Sequence, residues 1–265
     1  MTQQDALIFE QRATLDSWDL DYYHPIAERY YDQAVSLMLA LMGVAPGAQV
    51  LDAGCGPGVH SVRAVRSGCR VCAIDISQTM LEEANARIHA AGLDSGVEFR
   101  QEDLRRLSFA DASFDHVFSW GVIIHIHDIE TALDELARVV SPGGTLALYV
   151  TNRNAWDHKL ESLLRFVMRK PVANRQSLPL GNGAWYEMHG QKLWVWQFDI
   201  PELERQLEAR GLRPIHRVAG EFSELQRRVK GPLRRILLRL NNLYYRLRLS
   251  PGPAVANLLV FQKAR

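Results

Sequence analysis

The stretch "VLDAGCGPGVHS", Val50 to Ser61, decides the fold. It sets three glycines at alternate positions, Gly54, Gly56 and Gly58, directly after a short apolar run and directly before an amphipathic one. Apolar run, bare turn and amphipathic run read as strand, tight turn and helix. Glycine there admits a left-handed backbone and lets another group lie against the main chain.

Outward from that turn the hydrophobic period alternates in a regular way. "AQVLDA" (48–53), "RVCAID" (70–75), "VEFRQ" (97–101), "FDHVFSW" (114–120) and "GTLALYV" (144–150) are short, apolar or β-branched runs. Between them lie "VHSVRAVRSG", "SQTMLEEANARIHAAG" and "DIETALDELARVVSPGG", amphipathic stretches that close on Gly or Pro-Gly, as helices do. Such β-α repeats imply an α/β chain with a doubly wound, mostly parallel sheet, right-handed crossovers and helices on both faces. Ligands of these sheets bind beyond the carboxyl ends of the strands at the switch point, where Asp52 to Gly58 falls.

Composition sets the wider bounds. With 265 residues and 47 % hydrophobic composition the chain can hold one large α/β domain with a cap. The N-terminal "MTQQDALIFEQRATLD" carries no basic and apolar leader pattern, and no long uncharged apolar run occurs, so a cytoplasmic chain is expected. Cys69 and Cys72 form a C-x-x-C with no second pair to complete a zinc site, and they read as packed thiols. The net charge of +1 hides an asymmetry: Leu225 to Arg265 contains ten Lys or Arg and no acid, so the body is acidic and the tail basic.

A pyrophosphate-binding turn wants G-x-G-x-x-G, and the sixth position from Gly54 is Val59. A nicotinamide-dependent oxidoreductase is disfavoured on that ground. What stands here is D-x-G-x-G-x-G, which resembles motif I of the class I S-adenosylmethionine (SAM) dependent methyltransferases of small-molecule type. The resemblance extends to "AIDIS", "EDL", "FDHVFSWGVIIHIHD" and "LARVVSPGGTLAL", and so covers about residues 48–150.

The resemblance implies a seven-stranded sheet whose last strand is antiparallel, SAM as cofactor and S-adenosylhomocysteine as product. It assigns the cofactor neighbourhood to Asp52, Gly54, Cys55, Gly56 and Gly58 on the first turn. Asp75 is placed on the ribose hydroxyls with Ile76 beside it, and a carboxylate with two acceptor oxygens suits a vicinal diol. Met80 lies against the adenine, Asp103 and Leu104 follow the third strand toward the adenine amino group, and Trp120 and Gly121 line the methionine moiety. His125 aligns with a histidine near the methyl and is the candidate general base; the alternative is a histidine that hydrogen-bonds the backbone. Alignment of the acceptor is worth about 7–11 kcal/mol of barrier, and a base is needed only for a protonated acceptor such as an alcohol.

Outside this core the reading rests on pattern. Residues 1–47 are expected to form a helical lid, with Tyr22 and Tyr23 as substrate contacts and Tyr30 and Tyr31 on the same stripe; packing is the alternative for all four. Residues 151–199 are too many for an idle loop and are expected to form a substrate cap, with Trp156, Trp185 and Tyr186 as substrate contacts. Trp194 and Trp196 alternate along a strand-like run and share a face that ligand or protein covers. "RPIHRVAG" and "VANLLVFQKAR" read as the sixth and seventh strands of a C-terminal part, 200–265.

Between those two strands, about 225–253, a basic amphipathic stretch puts Leu or Ile at 233, 236, 237, 240, 243 and 247 beside arginines 234, 235, 239, 246 and 248. It either lies in a membrane interface, giving peripheral association, or docks on the insertion. No N/D-P-P-Y/F element follows the fourth strand, which disfavours nucleic acid, although an RNA methyltransferase remains an alternative. No acidic cluster suits a divalent metal. The expectation is an enzyme that methylates a small organic or lipid-like acceptor, at oxygen. A catalytically silent SAM-binding protein is the rival, and the oligomeric state is open.

Overall fold

The computed structural model describes residues 8–15, 25–167, 169, 175–227 and 229–265. Helix α1 (Pro25–Leu41) precedes β1 (Gln49–Ala53), α2 (Val59–Arg66), β2 (Arg70–Asp75), α3 (Gln78–Ala90), β3 (Val97–Gln101) and β4 (Phe114–Trp120). Then come α4 (Ile129–Val139), β5 (Val140–Thr151), α5 (Trp156–Val167), β6 (Gln176–Leu178), β7 (Gly181–Met188) and β8 (Gln191–Phe198). Helix α6 (Ile200–Glu208), β9 (Leu212–Ala219), α7 (Gly231–Arg246) and β10 (Ala256–Lys263) complete the chain.

Seven strands form one sheet in the order β3-β2-β1-β4-β5-β10-β9. β1 to β5 run parallel, and β10 lies antiparallel between β5 and β9. The winding reverses between β1 and β4, so the crevice of this sheet opens at the carboxyl ends of those two strands.

The period of two along each strand divides the core. Leu51, Ala53, Cys72, Ile74, Leu146 and Leu148 point to one face, against Leu133 and Leu136 of α4 and Leu203 and Leu207 of α6. Val50, Val71, Ala73 and Ala147 point to the other, against Val35 and Met38 of α1 and Ala64 of α2. β1 carries four buried residues in a row because helices cover both faces. Helix α1 is tied to α2 through Arg63, only 7 % exposed, which donates to Asp32 at 2.8 Å and Glu28 at 2.5 Å.

The sequence places the end of α4 and the start of β5 around Ser141–Gly144, whereas β5 is continuous from Val140. The reason is contact with β4: a Cβ on Gly144 would stand 2.6 Å from the Asp115 carbonyl oxygen, so the Pro-Gly-Gly turn lies flat on the neighbouring strand as a bulged extension.

Between β5 and α6 stands a second, three-stranded antiparallel sheet, β6-β7-β8. The β7–β8 turn, His189-Gly190, has φ of 51° and 76°, the two left-handed residues that a tight primed hairpin turn requires. Trp194 and Trp196 are 1 % and 3 % exposed and belong to the main core, so protein covers the face they share. Cys55, Cys69 and Cys72 are buried free thiols.

Candidate functional site

A cavity of about 580 Å³ opens at the switch point and continues beneath the β6–β8 sheet, a size that suits a cofactor together with a small molecule. Its sheet side is built by the turns that end β1, β2 and β4: Gly54 to Pro57, Asp75 and Ile76, Trp120 to Val122. Its far side is built by Tyr186, Leu193, Val195 and Gln197 of the second sheet and by His158 of α5.

The three glycines of the first turn are bare for different reasons. A Cβ on Gly54, at φ 89°, would strike Val122 Cγ1 at 2.4 Å, and one on Gly58, at φ 76°, would strike Ala84 Cβ on α3 at 2.8 Å. Those two serve protein packing. Gly56, at φ 50°, has nothing within 4 Å of its Cβ position, which faces open space in the cavity, and Gly121, at φ 71°, is open in the same way.

Asp75 closes β2 and holds the turn together. Its Oδ2 accepts from the Gly56 N–H at 2.9 Å and its Oδ1 from the Ser77 N–H at 3.0 Å. Burial pushes its pKa up to about 6, against the pull of those two donors. Each oxygen keeps a lone pair for a further donor from the cavity. Ser77 caps α3, accepting from the Met80 N–H at 3.1 Å, and this presents Met80, 1 % exposed, to the cavity wall.

Asp52 stands behind the turn and does not line the cavity. It is 1 % exposed, accepts from Ser61 Oγ at 2.6 Å, and burial raises its pKa to about 7, Asp75 adding to the rise. Gly58 is likewise off the wall, and both residues shape the turn that others present. Asp103 lines the cavity with Leu104, but Arg105 grips its carboxylate from Nε at 2.9 and 3.1 Å and from its backbone N–H at 2.9 Å. Burial alone would raise the Asp103 pKa; the Arg105 bonds outweigh it and hold it low.

His125 sits on a helical turn after β4, on the cavity wall. Its Nδ1 lies 3.0 Å from the Trp194 carbonyl oxygen, which can only accept, so Nδ1 carries the proton and Nε2 the lone pair. Burial lowers its pKa, partly offset by that bond, and the neutral base is the resting form.

Trp120 lines the cavity under an aromatic group that the sequence does not announce. It stacks on Tyr149 with centroids 4.1 Å apart and lies 4.6 Å from His60, whose pKa burial lowers to about 3 and whose Nδ1 has no partner. Tyr31 reaches this wall from α1, while Tyr30 is packed against Tyr149 and Tyr245. Tyr22 and Tyr23 lie outside the described residues.

Of the three cap residues expected to touch substrate, only Tyr186 lines the cavity. Trp156 is 48 % exposed at the start of α5 and Trp185 is 40 % exposed, stacked on His127; strand alternation turns Trp185 to the face opposite Tyr186, so neither stands with Tyr186 on the cavity wall. The residues that sequence reading missed are His158, Arg175 and Gln197. His158 Nε2, Arg175 Nε and Gln197 Oε1 are buried without a hydrogen-bond partner at the cap end of the cavity, though Arg175 pairs with Glu161 at 3.3 Å through its other nitrogen. Their only sequence signal was polarity within an otherwise amphipathic insertion.

A doubly wound sheet with an antiparallel β10, a D-x-G-x-G-x-G turn at its switch point and an acid closing β2 together define the class I methyltransferase fold. The family model described as "Methyltransferase domain" matches residues 51–148, and the fold is the one that class I, SAM-dependent methyltransferases share. The chain is similar to the O-methyltransferase resE of Aspergillus sclerotiorum, 32 % identical over 147 residues, 54 % of this chain and 56 % of that one. It is 38 % identical over 112 residues to the 27-O-demethylrifamycin SV methyltransferase of Amycolatopsis mediterranei, 41 % of each chain. The chain spans about half the length of the curated relatives it matches. Among solved structures, a geranyl diphosphate methyltransferase in complex with GPP and sinefungin shares the fold with a TM-score of 0.63 at 18 % identity, covering 98 % of both chains.

Proposed function

We propose that this chain is an enzyme that methylates a small organic or lipid-like acceptor at oxygen, taking the methyl from SAM and leaving S-adenosylhomocysteine. One observation carries the reading: the Gly56 turn, Asp75 and His125 all line a single cavity that the β6–β8 sheet roofs. The open Cβ position of Gly56 is a cradle that only glycine leaves free. The relatives named for oxygen methylation support the choice of atom.

Asp75 accepts the ribose hydroxyls on its remaining lone pairs, Ile76, Met80 and Leu104 flank the base, and Trp120, Gly121 and Cys55 border the methionine part. Asp103, held by Arg105, presents its carboxylate edge to the adenine amino group. When bound, SAM supplies a methyl already activated by its sulfonium. What the protein adds is alignment, exclusion of water and a proton acceptor: His125 Nε2 takes the acceptor hydroxyl proton as oxygen gains the methyl, while the Trp194 carbonyl steadies Nδ1–H. The unpartnered His158, Arg175 and Gln197 atoms hold polar groups of the acceptor at the cap end. A lipid-like acceptor would be collected through peripheral contact of segment 225–253 with a membrane.

The test is transfer of label from methyl-labelled SAM into a host-cell extract, split into organic, aqueous and macromolecular fractions, with calorimetry of SAM binding alongside. Label in the organic or aqueous small-molecule fraction supports the reading. Label in RNA overturns the acceptor class, and SAM binding without transfer points to a silent SAM-binding protein or to an acceptor the extract lacks.

A further inference from the structure

Helix α7 turns a stripe of its aliphatic residues away from the protein. Residues advance about 100° around a helix at each step, which gives α7 three faces. Leu237, Asn241 and Tyr245 share the face turned to the protein, with Asn241 and Tyr245 buried. Leu233, Ile236, Leu240, Leu243 and Leu247 fall on a second, each at least 50 % exposed. Arg235, Arg239 and Arg246, all exposed, fall on a third beside the aliphatic one.

Polar contacts fix that orientation. Asn241 Oδ1 accepts from the Ser223 N–H at 3.0 Å and its Nδ2 donates to the Ser223 carbonyl at 2.8 Å. The Tyr245 hydroxyl donates to the Gln33 carbonyl at 3.3 Å, and its ring meets Tyr30 edge-on at 5.1 Å. Rolling the helix to bury its leucines would strand these groups without partners. The aliphatic stripe is therefore a settled surface feature, and the sequence alternative of docking it on the insertion does not hold.

We propose that this face of α7 lies in the interface of an anionic lipid bilayer. An aliphatic stripe flanked by arginines matches hydrocarbon and headgroup together. The charge argues for lipid over a second copy: residues 231–248 hold Arg234, Arg235, Arg239, Arg246 and Arg248 and no acid, so two such stripes pressed together would bring like charges face to face. Among the described residues no helix is long and apolar enough to cross a membrane, so contact at the surface is the mode that remains to α7. Ser223, which Asn241 grips, lies between Glu221 and Glu224 of the cavity wall, so the helix is hydrogen-bonded to the short segment that carries those two residues.

The experiment is flotation of the full chain with vesicles of pure phosphatidylcholine and of equal parts phosphatidylcholine and phosphatidylglycerol, repeated in high salt. The parent should float with the anionic vesicles and lose binding as salt rises. Leu240→Glu with Leu243→Glu, and separately Arg235→Glu with Arg239→Glu, should each weaken partition by roughly tenfold or more while thermal unfolding stays unchanged. Parent that ignores anionic vesicles, or variants that bind as the parent does, overturns the proposal. So does concentration-dependent dimerisation by light scattering without vesicle binding, which would give the face to a second copy. No methyl transfer enters this readout, so its failure removes membrane collection of the acceptor and leaves the proposed methyl transfer standing, and failed methyl transfer leaves the lipid contact standing.

Discussion

Trp120 and Tyr149 stack with ring centroids 4.1 Å apart and planes 7° from parallel, side by side on β4 and β5 where the register pairs them. The Tyr149 hydroxyl stands 3.1 Å from the Tyr30 hydroxyl and accepts from the Glu221 N–H at 3.2 Å, and a Cβ on Gly220 would strike its ring at 2.5 Å. One side chain thus ties α1, the sheet and the chain leading to α7 around one end of the cavity.

Tyr149→Phe should keep the stack and lose the hydroxyl contacts, costing about 1–2 kcal/mol in urea unfolding with SAM affinity nearly unchanged. Tyr149→Ala removes the stack as well and should weaken SAM binding. Equal SAM affinity in both variants would show that Trp120 keeps its place without Tyr149.

The glycines separate by assay. Gly56→Val starts its side chain from a Cβ position with nothing within 4 Å and sends its methyls on from there, so SAM binding should vanish in calorimetry, with left-handed strain of about 1–2 kcal/mol or more taken from stability. Gly58→Ala should instead cost roughly 1–3 kcal/mol by forcing α3 from the turn. Normal SAM affinity in Gly56→Val would remove the cofactor from this turn.

Asp52 makes a pH prediction. Its folded pKa of about 7 lies above the ordinary 3.8, so its contribution to stability is present in full below about pH 4 and is lost as pH rises through 7. Asp52→Asn can still accept from Ser61 and carries no charge. The difference in stability between variant and parent should therefore grow in the variant's favour between pH 5 and 8, by on the order of 1–3 kcal/mol. A pH-independent difference would mean that Asp52 does not titrate in this range.

His125→Ala should cut turnover and leave SAM affinity intact. In the parent the acid limb of kcat/KM should inflect below 6.5, because burial lowers the imidazole pKa and only the neutral ring accepts a proton. Unchanged turnover in the variant would leave His125 as a prop for Trp194.

The core fold was legible because its signals are local. Val50 to Gly58 carries a buried strand, a turn of obligatory glycines and a helix start within nine residues, and the acid of "AIDIS" follows from the same repeat. The insertion was legible only as an insertion: that Tyr186 faces the cavity and Trp185 does not depends on which way the β7–β8 hairpin lies.

Sequence by itself determined the winding of the sheet, the place of the crevice, and the alternation that sends Leu51 to one core and Val50 to the other, since each follows from backbone geometry and period. Tertiary structure alone decided that Gly54 and Gly58 serve Val122 and Ala84 while Gly56 opens to the cavity, and that Asn241 and Tyr245 turn the leucine stripe of α7 outward. Those outcomes rest on contacts between residues far apart in the chain, and a period reports which side chains share a face without saying what that face meets.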